Sequence, residues 1–433
     1  MSVSTGHSSP SRVVFAGAVG NAIEFYDFTV YAFLASYFAV HFFPSSDPVA
    51  GLLASYGVLA VGMLMRPVGA VLFGIIGDRI SRRMALQLSV VMIAVPTLII
   101  GLLPTYQAIG VAAPITLVAL RMIQGLSVGG EYSASIVYIV EHAPRSRRGL
   151  WGSFSPMGAF GGLFLGTAVC IAVVHVLGTE AMAAWGWRIP FIASVALTAA
   201  GVAVRMRLKA DQQHTPIASG ENVLTAAFFR HWWEMSAIAL ANISTGIVTF
   251  VAFAFAVAWM VDVAGVTRQH ALAINLYGLV AVGALSLLGG AAGDRLGKLR
   301  VSMAGLATLL LGAWPAFAAM GSQSTLMQIA GISIIALGQG FFVGPLCACM
   351  VALVPAGVRT TVVSIGYSAS VGVFGGLAPL VTEYLFARLG LHMAPALVIM
   401  AGALVSLTAI ILLGRWPYHD PVPPEEREGS PVR

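Results

Sequence analysis

Apolar runs long enough to cross a lipid bilayer recur along the whole chain. A spanning helix takes about 20 predominantly apolar residues. Runs of that kind lie near 13–40, 50–77, 84–103, 112–141, 149–175 and 189–207. A polar stretch at 208–230, with KADQQHTPIASGENV inside it, interrupts the series, and six more runs follow near 234–262, 271–292, 300–320, 325–353, 361–386 and 392–414. The pattern predicts an all-α integral membrane protein of twelve transmembrane helices. It divides the chain into an N-terminal six-helix half (1–207), a central loop (208–233), a C-terminal six-helix half (234–414) and a tail (415–433). The tail, with PVPPEEREGS, is too charged and proline-rich to pack and reads as disordered.

Composition supports the membrane reading. Only 9% of the 433 residues are charged and 58% are hydrophobic, whereas a soluble domain is roughly a quarter charged. The net charge of +6 is explained by where the basic residues fall. With the N-terminus inside, eighteen of the 23 Lys and Arg residues sit on inside segments, among them Arg79, Arg82, Arg83, Arg145, Arg147, Arg148, Arg295, Lys298, Arg300 and Arg359. Arg188, Arg268 and Arg388 fall outside, and Arg66 and Arg121 lie within helices. This excess predicts cytoplasmic termini in an inner membrane, and it removes any need for a nucleic-acid partner. The first apolar segment contains Glu24 and Asp27 and has no short h-region, so no cleavable signal peptide is expected. Cys170, Cys347 and Cys349 lie in apolar runs and read as small buried side chains, and the histidines, among them His41, His142 and His175, fall mostly at helix ends; no metal site and no cofactor are expected.

The two halves repeat. GIIGDRISRR (74–83) follows the second helix and GAAGDRLGKLR (290–300) follows the eighth, placing Asp78 and Asp294 216 positions apart. Two ladders of small residues, Gly158, Gly162 and Gly166 on helix 5 and Ser368, Gly372 and Gly376 on helix 11, stand at nearly the same offset. Small residues every fourth position let helices pack closely. Two pseudo-symmetric halves related by an axis along the membrane normal form a transporter architecture, with the solute site between them. In the repeated loops Asp78, Arg79, Arg82, Asp294 and Arg295 read as a conformational latch, with Arg66 counted among its groups; the plainer alternative is a positive anchor that fixes topology.

Four stretches carry a family resemblance: GNAIEFYDFTVYAFLA (20–35), RPVGAVLFGIIGDRISRR (66–83), RMIQGLSVGGEYSASIVYIVEHAP (121–144) and WGWRIPF (185–191). With them the chain resembles the major facilitator superfamily, and within it the metabolite:proton symporter group of proline/betaine, shikimate, citrate and 2-oxoglutarate permeases. The resemblance implies the major facilitator fold and proton-coupled solute transport, with the R-x-x-Q-G of Arg121 to Gly125 similar to the superfamily motif associated with proton coupling. Ser81 stands where the loop motif usually has glycine, and no long coiled-coil extension is seen. Osmotic gating is therefore not implied.

Ionisable groups within spans are costly and should face a cavity or a partner. Glu24, Asp27, Arg66, Arg121 and Glu131 are the five. Three acids against two bases leave one carboxylate without a permanent partner, and desolvation favours the neutral form of a carboxylic acid. Glu131, Asp27 and, next, Glu24 are the candidate proton carriers; the alternative is a fixed ion-pair network joining helices 1, 2 and 4. Arg121 is the candidate for a solute carboxylate, because its planar fork matches one bidentately; its alternative is a salt bridge to Asp27 or Glu24. Gln124, Tyr31, Asn242, Asn275, Gln339 and Tyr367 complete the candidate solute contacts, each also readable as a helix–helix contact.

The expected function is therefore import of a small organic acid or zwitterion by proton symport through alternating access, by a monomer in lipid, driven by the proton gradient. A proton-antiport exporter of a drug or siderophore-like compound is the alternative within transport. A non-transporting solute sensor would need an output domain for which the loops leave no room, and an enzyme would need a nucleophile with its base or a metal cluster, which the spacing does not supply.

Overall fold

The computed structural model describes residues 10–44, 48–80, 82–206 and 225–413. Their elements are helical throughout and form twelve rods. The first six are α1 (Pro10–Phe42), α2 (Pro48–Leu64 and Arg66–Arg79), α3 (Arg82–Leu102), α4 (Ala112–His142), α5 (Phe154–Ala184, entered through the short helix Arg148–Gly152) and α6 (Ile189–Met206). The second six are α7 (Trp232–Phe250 and Ala256–Ala264), α8 (Arg268–Leu296), α9 (Lys298–Met320), α10 (Thr325–Leu353), α11 (Arg359–Ser370 and Gly376–Ala387) and α12 (Ala394–Leu413). A π-helical turn joins the two pieces of α7 (Val251–Phe255) and of α11 (Val371–Gly375). Most predicted boundaries hold within about three residues. The exception is α5, which runs nine residues beyond its expected end and is broken at Gly178 (φ 81°). The expected central loop is described only from residue 225 on, where a π-helical turn, Ala226–Arg230, already leads into α7; its earlier part and the tail from 415 lie outside the described residues.

Large apolar side chains such as Val176, Leu311 and Leu326 stand exposed on the outside of the bundle, where lipid takes the place of water. Among the described residues nine helices pass a length and hydropathy test for spanning, and α10 is the most enclosed of them. The remaining rods, α1, α3 and α6, carry charges or shorter apolar stretches.

Glycine decides how closely α2 and α4 approach. A Cβ on Gly125 would stand 2.0 Å from the Gly62 carbonyl oxygen, and one on Gly129 would stand 1.9 Å from that of Arg66. The second half repeats this crossing between α8 and α10, where a Cβ on Gly344 would lie 2.2 Å from the Ser286 carbonyl. The two predicted ladders do not play matching parts. Gly158 and Gly162 pack within the first half, against Ala18 and Ala22 of α1. On α11, Gly372 leans across the halves towards Met63 of α2, and Ser368 donates to the Gly129 carbonyl at 2.6 Å. Gly366 and Gly375 are the ones that meet α7. The extra residue in the π turn rotates the face of α11, which a constant offset in sequence does not capture.

Candidate functional site

The end of the bundle carrying Arg145, Arg147, Lys298 and Arg359 is called the basic end here. Contacts between the halves close it. Asp294 accepts the Gly149 and Leu150 amides at 2.8 Å each, at the start of the helix leading into α5, and pairs with Lys298 at 3.3 Å. A carboxylate suits those N–H groups, since a helix start leaves them without partners and positive in potential. Arg359 of α11 meets Glu141 of α4 at 2.6 Å and donates to the Val354 carbonyl. Neither partner of this ion pair stood out in the sequence beyond Arg359 as a basic loop residue, because 218 positions separate them. Deeper in, Tyr132 stacks on Tyr367 across the halves with ring centres 4.8 Å apart. Arg295 is exposed. The side chains of Asp78, Arg79 and Arg82 lie outside the described residues.

Beyond the tyrosine pair, mid-way along the first half, lies a cavity lined by Glu24, Asp27, Phe28, Arg66, Arg121 and Gln124, among others. Its room for the centre of a water-sized sphere is about 20 Å³, enough for one or two water molecules. Pro67 has no N–H for the Met63 carbonyl, and α2 breaks just before it, as proline requires. That break sets Arg66 at the cavity wall. Its guanidinium pairs with Glu24 at 3.1 Å and lies 6.0 Å from the ring centres of Phe25 and Phe28. Arg66, expected with the latch groups, thus belongs by position to the cavity.

Asp27 and Arg121 are held differently. Thr97 of α3 donates to Asp27 Oδ2, while Oδ1 has no hydrogen-bond partner. The Arg121 guanidinium lies over the Tyr31 ring, 3.7 Å from its centre, and its Nε and Nη2 have no hydrogen-bond partner. Tyr31 gives its hydroxyl to the Ser55 carbonyl. Gln124 donates to Thr97 Oγ1 at 2.7 Å. Glu131 is buried but does not line this cavity. It shares a helix face with Gln124 and Ser127, both bonded to α3.

The second-half candidates are mostly engaged elsewhere. Asn242 donates to its own Ile238 carbonyl and to Met350 Sδ. Asn275 donates to Phe253, inside the π turn of α7. Gln339 is fully buried with neither amide atom partnered. Phe250 of α7 meets Phe28 edge-on across the halves at 5.8 Å. Thr97 and Tyr132 are the functional-site residues that sequence reasoning passed over; a lone threonine after a proline in an apolar run carries no signal of its own.

Transporters are among the known proteins that this chain resembles in sequence and shape. The model of the Major Facilitator Superfamily matches residues 17–367. The ectoine/proline transporter ProP of Corynebacterium glutamicum is 32% identical over 91% of this chain and 82% of its own length. The proline/betaine transporter of Salmonella typhimurium is 29% identical over 92% and 82%. Among solved structures, the proton:xylose symporter XylE bound to 6-bromo-6-deoxy-D-glucose aligns with a TM-score of 0.78 at 15% identity, covering 97% of this chain and 98% of its own. The inward-open form of XylE from E. coli aligns less well, with a TM-score of 0.64 at 14% identity, over 94% and 97%. With twelve helices in two halves and this match over most of its length, the chain belongs to the Major Facilitator Superfamily: it is a membrane transporter of small solutes, and no enzyme.

Proposed function

We propose that the chain imports a small zwitterionic solute by proton symport, from an inner membrane in which the basic end faces the cytoplasm. The observation that carries this reading is the pairing pattern in the cavity. Glu24 and Arg66 neutralise each other, whereas Asp27 keeps one oxygen, and Arg121 two N–H positions, without hydrogen-bond partners. A buried carboxylate with an open site in a cavity just large enough for water suits a proton that must load on one side and leave on the other. Arg121 offers a fork for a solute carboxylate. Phe28 and Phe250 offer aromatic faces for a solute cation. Proline and betaines, named for the relatives, carry both groups. Of the second-half candidates, Gln339 has both amide atoms without partners, while Asn242 and Asn275 each already donate within their own half.

The cavity admits water but no organic molecule, so the halves must part to load solute. In the proposed cycle Asp27 takes a proton from the outer side and the solute carboxylate docks on Arg121. With the cavity neutral, the halves occlude and then rock. Opening the basic end breaks the Asp294 amide bonds, the Glu141–Arg359 pair and the Tyr132–Tyr367 stack, and proton and solute leave to the more alkaline cytoplasm.

Uptake into proteoliposomes with an alkaline interior tests the proposal, with proline, glycine betaine and ectoine set against di- and tricarboxylates and the internal pH recorded. The expected result is concentrative uptake of a zwitterion with internal acidification. Solute leaving as protons enter, or uptake indifferent to the gradient, overturns it.

A further inference from the structure

Thr97 has one hydroxyl hydrogen and two acceptors within reach. Its Oγ1 lies in donor position to Asp27 Oδ2 and also 2.7 Å from the carbonyl of Ile93, one turn back on α3. The same oxygen accepts from Gln124 Nε2. A hydroxyl carries one donor and two acceptor lone pairs, so it cannot serve both acceptors at once. The choice depends on Asp27. When the carboxyl is ionised, Thr97 donates to it. When the carboxyl is protonated, the Asp27 O–H donates to Thr97 Oγ1 and the threonine hydrogen turns to Ile93. Each arrangement leaves Thr97 and the Asp27 Oδ2 side satisfied, and no atom moves beyond rotation of one hydroxyl. We infer that Thr97 is a two-way hydrogen-bond relay that holds Asp27 in both protonation states and so lets the proton load and leave without stranding a buried polar group.

This inference rests on Asp27 as the proton carrier. The groups around Asp27 are Arg121 from α4, Arg66 from α2 and Glu24 on its own helix, which share its cavity, with Tyr26 and Tyr31 on α1 and the Ser194 hydroxyl of α6 near by. Ser194 also has a second acceptor, the Phe191 carbonyl at 2.7 Å, but Thr97 is the one whose oxygen also accepts from Gln124, which fixes it in place in both arrangements. The second half supplies the contrast. Its Gln339-Gly340 repeats Gln124-Gly125, but Ala336 stands where Arg121 does, and Pro315 of α9 is followed by Ala316 where Pro96 of α3 is followed by Thr97. The half without an acid at the matching mid-span positions has no hydroxyl after its proline.

The test compares Thr97→Val, which keeps the shape and loses the hydroxyl, with Thr97→Ser, which keeps the hydroxyl and loses a methyl. Uptake against a gradient and solute exchange at equal pH are both measured in proteoliposomes, per unit of folded protein. Exchange runs with the carrier protonated throughout, whereas uphill uptake needs the proton to leave. Thr97→Val is expected to lower uphill uptake by about tenfold or more, the worth of a hydrogen bond to a charged group, with a much smaller loss of exchange. Thr97→Ser is expected to keep both. Adding Thr97→Val to Asp27→Asn should cost nothing further, because the pair acts as a unit. A packing role gives the opposite order, with valine harmless and serine impaired, and that order overturns the inference. Equal loss of uptake and exchange in Thr97→Val overturns it too. If Asp27→Asn itself keeps uphill uptake, the carrier assignment fails, not merely the relay.

Discussion

The two halves share a scaffold and differ in what they bury. At the α2–α4 crossing Gly125 and Gly129 bring the backbones together, and at the α8–α10 crossing Gly340 and Gly344 do the same. Around the first crossing stand Glu24, Asp27, Arg66 and Arg121. In the second half the buried mid-span polar groups are neutral, Asn242, Asn275 and Gln339 among them, and its buried Arg359 sits at the basic end. The difference teaches that the repeat fixes geometry, while chemistry was assigned to one side of it. A rocking transporter needs two matching rigid bodies, but one proton site suffices.

The largest way to break this comparison is to neutralise the acids one at a time. Asp27→Asn is expected to lower pH-driven accumulation by about a hundredfold or more, the scale of a proton-transferring group, while leaving solute exchange measurable. Glu24→Gln, which leaves Arg66 unpaired in a buried site, is expected to reduce the amount of folded protein as well, because breaking a buried pair costs several kcal/mol. Full uphill uptake by Asp27→Asn with loss in Glu131→Gln would transfer the carrier role to α4.

The shared scaffold can be sharpened next. Gly125→Ala drives a methyl into the Gly62 carbonyl at 2.0 Å, and Gly340→Ala meets the Leu285 Cβ at 2.6 Å. Overpacking of this kind costs about 1–3 kcal/mol. Both obstacles are fixed to the backbone, and the approach at Gly125 is the closer of the two, so thermal unfolding in detergent should show the larger drop for Gly125→Ala. Equal drops would mean that the crossings are tuned alike.

The smallest expected effect is at the basic end. Asp294→Asn keeps one acceptor for the Gly149 and Leu150 amides and loses its attraction to Lys298. The closed form should weaken by about 1–2 kcal/mol. Cys347 and Cys349 lie buried near this interface, so faster thiol labelling of the variant reads the opening directly. Unchanged labelling would leave closure to the Glu141–Arg359 pair.

Much of the fold was legible because its cause is local. Apolar runs separated by polar loops mark most helix ends to within a few residues, and the GDR repeat marks the halves. The site was legible as a demand: five charges at mid-span call for a cavity or partners, and four of them line one cavity. How they divide was not legible. Helix periodicity places Arg121, Gln124, Val128 and Glu131 on one side of α4, yet small rotations leave Val128 in the cavity wall and Glu131 outside it. The surroundings of the second-half candidates were hidden for a related reason. Asn275 donates to a carbonyl that the π turn of α7 presents to it, a contact no sequence spacing announces.

The sequence by itself determined that twelve helices span a membrane in two repeated halves, because hydrophobic length and loop charge are properties of contiguous residues. Only the tertiary structure decided that Glu24 is tied to Arg66 while Asp27 faces Thr97, and that Arg359 closes on Glu141. Those choices depend on the rotation and kinking of helices far apart in sequence, where a single proline or π turn redirects a side chain from one partner to another.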